Sequence, residues 1–324
     1  MKAMTRAIVA VIVAAAASAA NAEYPDRPIT WVVPFAAGGA TDTLARQFAE
    51  RMSRGASQSI VIENVPGAGG TIGAAKVAQS KPDGYTLLVG HMGYMAAAPS
   101  LYKHLPYDPV KDFEAVARFP DTPMVLVCGQ RVKQHDIRGL LHYARANPGK
   151  LNFGNAGVGS AGHLVAALFA SAAKANLVYV PYKGNAPAYT DIMGGRIDCM
   201  FDQSNTALPQ VRGGKVRAFA VTSKERIPQL PEVPTLDESG LAGFEAATWY
   251  GIYAPRGTPK DAIQWMVARF DDAMNDSAFT AGMVKQGYVL VPDSERGPDA
   301  FAAHTKHEVQ VWKKVIADAH IPAN

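Results

Sequence analysis

A turn built from small residues carries the clearest chemistry in this sequence. It covers residues 34–41 (PFAAGGAT) and follows residues 29–33, an apolar and β-favouring run typical of a strand buried on both faces. Leu44, Phe48 and Met52 then recur at helical spacing. Such a turn at the carboxyl end of a parallel strand exposes backbone N–H groups and a helix N-terminus. Both favour a bound anion.

Two further glycine-rich turns support this interpretation. Residues 66–71 (PGAGGT) form a second candidate wall of the same subsite, although a plain tight turn remains the alternative. Residues 157–162 (GVGSAG) match the G-x-G-x-x-G pattern of dinucleotide-binding sites. That pattern also requires an acidic residue after the next strand, where this chain has residues 179–182 (YVPY). We therefore interpret this turn as a carboxylate cradle, with Asn155 and Ser160 as direct contacts.

Other polar side chains follow the predicted strands. We interpret Asp42 mainly as a helix-start residue that holds the first turn, because a carboxylate in direct contact with an anion would repel it. Asp202 ends a predicted strand and is expected to point into the cleft, the alternative being a structural hydrogen bond to loop backbone. His91 and Tyr94 follow the third strand, where ligand identity should be determined, and favour a bulky or aromatic acid. Tyr182 is expected near the mouth.

The sequence does not favour an enzyme. Ser160, His163 and Asp202 contain the residue types of a hydrolase triad, but His163 lies on the helix that Ser160 begins, without a nucleophile elbow. His304 and His307 are three residues apart on a predicted helix, and no cluster of further ligands completes a metal site. We therefore expect no catalysis, no metal and no cofactor.

Composition and the N-terminus set the class of protein. The chain has 324 residues, 48% apolar and 19% charged, and a formal net charge of +4. Lys2 and Arg6 precede an apolar run at residues 7–17, and Ala20-Asn21-Ala22 fits a signal-peptide cleavage site. Cleavage after Ala22 would leave a periplasmic protein of charge +2, which does not indicate nucleic-acid binding.

The order of predicted elements indicates two α/β lobes. Residues 29–90 read as β-α-β-α-β with parallel pairing expected, and a loop-rich stretch, residues 91–119, follows. A second α/β series begins near residue 124, and amphipathic helices close the chain. These closing helices must pack against a sheet, and the first series supplies only three strands of its own. We therefore predict that the chain crosses between lobes near residues 119–122 and again near 246–249, which makes a hinge.

The two cysteines leave two possibilities open. Cys128 and Cys199 both lie in apolar runs that look like strands. In an exported protein they could form a disulfide bond. Cysteine is also commonly buried as a small hydrophobic residue, and we expect buried free thiols.

Six motifs occur in an order that resembles one family. They are PFAAGGATDTLAR, PGAGGTIGA, LPYDPVKDF, NPGKLNFGNAGVGSAGHL, PYKGNAPAYTDIMGGRIDCMFD and WYGIYAPRGTP. Together they resemble the Bug-type (TctC-like) periplasmic solute receptors of tripartite tricarboxylate transporters, over essentially the whole chain after the signal peptide. The resemblance implies an α/β, type II periplasmic binding protein fold with two doubly wound α/β lobes joined by two hinge crossings. We divide it as a signal peptide at 1–22, lobe 1 at 23–121 and 247–324, and lobe 2 at 122–246.

The family's function implies capture of a small organic acid, with one carboxylate held largely by backbone groups of the first turn. Asp202 would meet the far end of the solute, such as an ammonium group. The expected ligand-binding residues are Phe35, Ala36, Gly38, Thr41, Asp42, Gly69, His91, Tyr94, Asn155, Gly159, Ser160, Ala161, Tyr182 and Asp202.

The resemblance also implies partners. A monomer would deliver the solute to the large and small integral membrane subunits of a transporter. The alternative is a receptor of the same fold that serves a sensor kinase.

Overall fold

The computed structural model describes residues 24–318 and 321. The predicted signal peptide and its cleavage site lie outside the described residues. Within the described part, no helix is long and apolar enough to cross a membrane. The chain forms two separate β-sheets, each flanked by helices.

The first sheet has five strands in the order β2-β1-β3-β11-β4. β1 is parallel to β2 and β3, whereas β11 is antiparallel to β3 and β4. Phe48, Phe119 and Phe270 pack together beside this sheet, with ring centroids 4.5 Å apart for Phe48 and Phe119. The strands are β1 (Ile29–Val33), β2 (Ile60–Asn64), β3 (Thr86–His91), β4 (Phe113–Arg118) and β11 (Tyr250–Pro255).

The second sheet follows the order β10-β5-β8-β6-β7, and β9 also pairs with β5. β6 is parallel to β7 and β8, and β5 is antiparallel to β8, β9 and β10. The strands are β5 (Thr122–Cys128), β6 (Asn152–Asn155), β7 (Val178–Pro181), β8 (Cys199–Gln203), β9 (Arg217–Val221) and β10 (Ala247–Thr248).

Helices cover both sheets. A 3-10 turn at Ala68–Gly70 and a π-helical turn at Gly93–Ala97 lie in lobe 1. The α-helices are α1 (Ala40–Ser53), α2 (Thr71–Ala78), α3 (Ala98–Leu101), α4 (Ile137–Ala146), α5 (Ala161–Ala173), α6 (Asn185–Met193), α7 (Ser204–Arg212), α8 (Lys260–Met274), α9 (Ser277–Lys285), α10 (Asp293–Arg296) and α11 (Pro298–Asp318).

The chain passes between the sheets twice. It leaves the first sheet after β4 and enters the second at β5, and it returns between β10 and β11, which Trp249 separates. The closing helices α8 and α11 both pack against β4, in the first sheet. On this basis we propose the lobe division stated above, and lobe 1 and lobe 2 denote those residues below.

Several predicted elements differ from the observed ones. Lobe 1 was expected to have three strands before the crossing, but β4 forms inside the stretch expected to be loop-rich and β11 inside an aromatic run. The last helix was expected to be continuous from residue 294. Gly297, with extended backbone, separates α10 from α11 instead. β5 is antiparallel to all three of its neighbours, β8, β9 and β10.

The expectation of free thiols is wrong. Cys128 and Cys199 form a disulfide bond. Both lie in strands, as their apolar surroundings predicted, and they are directly opposite one another in the antiparallel β5–β8 pair. Sequence reasoning could not place them together because 71 positions separate them along the chain.

Candidate functional site

A small cavity lies between the two lobes. Its volume is about 20 Å³, which is room for about one water molecule. The lobes are therefore closed on one another in this structure, and a solute would need them to part. The lining residues are Phe35, Gly39, Ala40, Thr41, His91, Ala156, Ser160, Ala161, Gly162, Gly184, Asn185 and Gln203.

Four helices begin at this cavity. They are α1 at Ala40, α5 at Ala161, α6 at Asn185 and α7 at Ser204, whose N-cap is Gln203. Each helix N-terminus carries unpaired N–H groups and about half a positive charge. None of the lining residues in the described chain is Asp, Glu, Lys or Arg. The cavity is therefore suited to an anion bound by neutral donors and helix ends.

Backbone contacts between the lobes hold the cavity closed. The Ala36 N–H donates to the Lys183 carbonyl at 3.3 Å. The Tyr102 hydroxyl lies 3.0 Å from both the Ala68 and the Val158 carbonyl oxygens. A Cβ atom on Gly69 would lie 2.0 Å from the Val158 carbonyl oxygen, so this approach requires glycine.

An aromatic wall borders the lobe 1 side. The rings of Phe35 and His91 are stacked, with centroids 5.2 Å apart, and Tyr94 lies 4.5 Å from His91. Burial lowers the pKa of His91 to about 3, so its imidazole is neutral at neutral pH. Its Nδ1 accepts a hydrogen bond from the Gly93 N–H at 2.7 Å. The single imidazole proton therefore resides on Nε2, which is a donor.

Asp42 holds the first turn. It is 2% exposed, and its oxygens accept hydrogen bonds from the Gly38 N–H at 2.8 Å, Arg46 Nε at 2.9 Å and Asn64 Nδ2 at 2.9 Å. Burial opposes its charge, but the hydrogen bonds outweigh burial and keep the pKa of Asp42 below its usual value. These contacts support the interpretation of Asp42 as a turn-holding residue.

Ser160 and Asn155 shape the lobe 2 turn. The Ser160 Oγ caps α5 by accepting from the His163 N–H at 3.4 Å. Asn155 Oδ1 accepts from the Gly157 N–H at 3.0 Å. Asn155 Nδ2 is buried and has no hydrogen-bond partner among the described residues. Buried donors of this kind are uncommon unless a ligand or water satisfies them.

A second unpartnered polar group borders the cavity. The Tyr250 hydroxyl is buried without a hydrogen bond in the described chain, and its polar neighbours are Thr41 and Gln203. The Tyr250 ring lies 5.6 Å from His91. Because Thr41, Gln203 and His91 all line the cavity, this hydroxyl is positioned beside it.

Asp202 lies behind the cavity wall. It is fully buried, and its carboxylate accepts hydrogen bonds from Asn185, from the Tyr189 hydroxyl at 2.6 Å and from the Thr206 hydroxyl at 2.6 Å. Burial raises the pKa of Asp202 to about 6, although these donors oppose the rise. Its donors are mainly side chains, and the backbone N–H of Gln203 also favours its charged form. This structural role agrees in part with the alternative of a hydrogen bond to loop backbone, and the side-chain donors were not anticipated.

The predicted site residues fall into three groups. Those that line the cavity are Phe35, Thr41, His91, Ser160 and Ala161. Those in lobe contacts or turns around it are Ala36, Gly38, Asp42, Gly69, Asn155 and Gly159. Tyr94, Tyr182 and Asp202 direct their polar atoms elsewhere, towards the Val89 carbonyl, towards Asp191, and towards Asn185, Tyr189 and Thr206 respectively.

Besides Gly39, Ala40, Ala156 and Gly162, which lie in or beside the predicted turns, sequence reasoning missed Gly184, Asn185 and Gln203 as lining residues. All three lie where a strand of lobe 2 gives way to a helix, after β7 or at the end of β8. The same strand-to-helix signal that identified residues 34–41 could have identified them. It was obscured because Asp202, the more conspicuous charged residue, adjoins Gln203.

Comparison with known proteins identifies the family. Residues 44–320 match the family described as "Tripartite tricarboxylate transporter family receptor". The chain belongs to this family. It is 39% identical over 302 residues to the "UPF0065 protein in tcbD-tcbE intergenic region" of Pseudomonas sp. strain P51. The matched residues cover 93% of this chain and 89% of that relative.

Two solved structures of the same kind are similar. The periplasmic binding protein BugD has a TM-score of 0.89 at 40% identity, covering 93% of this chain and all of that one. MatC from Rhodopseudomonas palustris, solved with bound malate, has a TM-score of 0.86 at 37% identity, covering 90% of this chain and all of that one. The expected Bug-type receptor class and periplasmic binding protein fold are thus confirmed. The family and these neighbours are solute receptors and not enzymes.

Proposed function

We propose that this receptor captures a small organic acid between its lobes in the periplasm. It then delivers the acid to the large and small membrane subunits of a tripartite transporter. The observation that carries the first part is the convergence of four helix N-termini on a cavity lined by no charged side chain. A site of this kind favours an anion without a permanent cationic partner. The bound malate of MatC supports the same class of solute.

We assign the first carboxylate to the two turns that face each other across the cavity. Backbone N–H groups at Ala40 and Thr41 would donate from lobe 1, and those at Ala161 and Gly162 from lobe 2, joined by the Ser160 hydroxyl. Charge-assisted hydrogen bonds contribute about 1.5 to 3 kcal/mol each. A few of them with apolar contact to Phe35 are enough for micromolar affinity, which corresponds to about 8 kcal/mol.

Closure links capture to delivery. The contacts between Ala36 and Lys183, and between Tyr102 and Val158, form only when the lobes meet. A solute that bridges both lobes would stabilise a closed arrangement of this kind, with the lobes parted just enough to hold it. A membrane subunit that recognises surfaces of both lobes would then distinguish the loaded receptor from the empty one.

A thermal-shift screen tests capture. The purified protein is unfolded and refolded to remove carried-over solute, then heated with organic acids and with their amides as matched controls. An acid at about a hundred times its dissociation constant should stabilise the receptor by about 2.7 kcal/mol, a shift of several degrees. The amide should give no shift. Equal shifts with acid and amide, or none with any acid, would contradict carboxylate capture.

A further inference from the structure

A chain of three side chains fixes one polar wall of the cavity. Asn185 Nδ2 donates to an Asp202 carboxylate oxygen and, at 3.0 Å, to Gln203 Oε1. An amide nitrogen has two N–H groups, so both donors of Asn185 are used. The contact also sets the orientation of the Gln203 amide, because Oε1 must face Asn185. Gln203 Nε2 then faces away from Asn185 and can donate to the neighbouring Tyr250 hydroxyl or to a ligand in the cavity.

Asp202 is not available to a solute. Asn185 occupies one carboxylate oxygen, and the Tyr189 and Thr206 hydroxyls occupy the other, both at 2.6 Å. The residue is fully buried, and it is not among the residues that line the cavity. This carboxylate is therefore enclosed by three side-chain donors of lobe 2.

The remaining polar groups on this wall are mainly donors. Gln203 Nε2 and the His91 Nε2–H can donate, and the unpartnered Tyr250 hydroxyl lies beside Gln203. An ammonium group placed here would face four helix N-termini and no carboxylate. Neutral acceptors such as Asn185 Oδ1 and the Thr41 hydroxyl do not replace the solvation that a buried cation loses.

We propose that Gln203 is a specificity-determining residue, and that the solute carries an oxygen acceptor at its second polar position and no amino group there. This inference rests on the proposed function and specifies its substrate class. It replaces the expectation that Asp202 meets an ammonium group. The Asp202–Asn185 pair acts on the solute indirectly, as the support that orients the Gln203 amide.

Matched pairs of acids test the proposal on the unmodified protein. Isothermal titration would compare succinate with aspartate and glutarate with glutamate, because each pair differs only by an amino group. We expect the member without the amino group to bind at least about tenfold more tightly. Equal or tighter binding of the amino member would overturn this inference and leave carboxylate capture intact. Failure of both members of both pairs, and of the wider acid screen, would overturn the proposed function and this inference with it.

Two variants test the role of Gln203. Gln203→Glu places a carboxylate on the wall. It should reduce the ratio of affinities between the acid without the amino group and its amino partner at least about tenfold. Gln203→Met keeps the size of the side chain but removes the donor, and should weaken binding of the preferred diacid about tenfold. Gln264→Glu, on the exposed face of α8 and not among the lining residues, is the matched control and should change neither value.

The two variants are read separately. If Gln203→Glu does not fold because its carboxylate lies beside the buried Asp202, the acid pairs still test the exclusion of an amino group and Gln203→Met still tests the role of Gln203. Unchanged diacid affinity in folded Gln203→Met would overturn the assignment of Gln203.

Discussion

The two lobes hold their sides of the cavity with buried aspartates in opposite electrostatic settings. In lobe 1, Asp42 pairs with the half-exposed Arg46, and its pKa lies below the usual value. In lobe 2, Asp202 has neutral side-chain donors, and burial raises its pKa to about 6. Both carboxylates organise the start of a helix at the cavity. Lobe 1 does this with a charge pair near solvent, and lobe 2 does it with uncharged donors in the core.

This difference separates two ways of building an anion site. A carboxylate near an anion would repel it, and each lobe engages its own aspartate with donors before the solute arrives. Arg46 compensates Asp42 with a charge, whereas Tyr189, Thr206 and Asn185 compensate Asp202 with hydrogen bonds. Lobe 2 alone has a disulfide bond, Cys128–Cys199, among the described residues. The lobes should therefore respond differently to mutation, reduction and pH.

The largest expected effect is loss of the disulfide bond. A Cys128→Ala/Cys199→Ala variant should lose about 4 kcal/mol of unfolding free energy, because the bond closes a long loop in the unfolded chain. Urea unfolding under non-reducing conditions measures this loss. If the lobes unfold separately, only the lobe 2 transition should move. An unchanged midpoint, with the wild-type bond verified by thiol titration, would contradict this.

Asp42→Ala should cost about 3 kcal/mol of unfolding free energy, because it leaves the Gly38 N–H and the Asn64 amide without their buried acceptor. Arg46→Ala is the control. It removes a half-exposed partner and should cost less than about 1 kcal/mol. Equal losses in the two variants would show that the ion pair, and not the turn, is what Asp42 stabilises.

The pH dependence of Asp202→Asn should reveal the raised pKa. Wild-type Asp202 binds its proton more tightly in the folded state, so its stabilising contribution is complete below about pH 3.8 and is lost as pH rises through about 6. The unfolding free energy of the variant minus that of wild type should rise by roughly 3 kcal/mol over this window.

Asp42→Asn is the matched control for the pH experiment. The pKa of wild-type Asp42 is lowered in the folded state. The stabilising contribution of this carboxylate is therefore present above its unfolded pKa and is lost as the pH falls through its folded pKa. The unfolding free energy of Asp42→Asn minus that of wild type should not rise between pH 4 and 6. Parallel curves for the two variants would remove the distinction between the lobes.

The smallest expected effect concerns closure. Gly69→Ala would place Cβ 2.0 Å from the Val158 carbonyl oxygen, so the lobes should close less completely and solute affinity should fall about tenfold. Gly55→Ala is the control, because Gly55 also has a positive φ but has nothing within 4 Å of its added Cβ. Titration with the acid found in the screen compares them. Equal affinities would show that this contact does not limit closure.

Much of the architecture could be predicted because its signals are local. The apolar run at residues 29–33, the small-residue turn after it and the spacing of Leu44, Phe48 and Met52 together predicted β1, the turn and α1. β4 and β11 were missed because their residues pair only with distant strands. Strand pairing across long sequence separations has no local pattern.

The candidate site shows the same division. Ser160 and Thr41 could be anticipated because they lie in turns at helix starts, where the backbone itself provides the donors. The role of Asp202 could not, because an unpaired carboxylate in the sequence does not reveal the Tyr189, Thr206 and Asn185 donors that enclose it. The free-thiol expectation failed for a similar reason, since strand register alone brings Cys128 opposite Cys199.

The sequence by itself determined the receptor family, the α/β class and the small-residue turns that suit an anion, because these depend on residue type and short-range spacing. Only the tertiary structure decided which side chains face the cavity, how the Gln203 amide is oriented and that Asp202 is enclosed. Those properties depend on hydrogen bonds between segments that folding brings together, and a buried carboxylate or amide takes its chemical role from the partners that surround it.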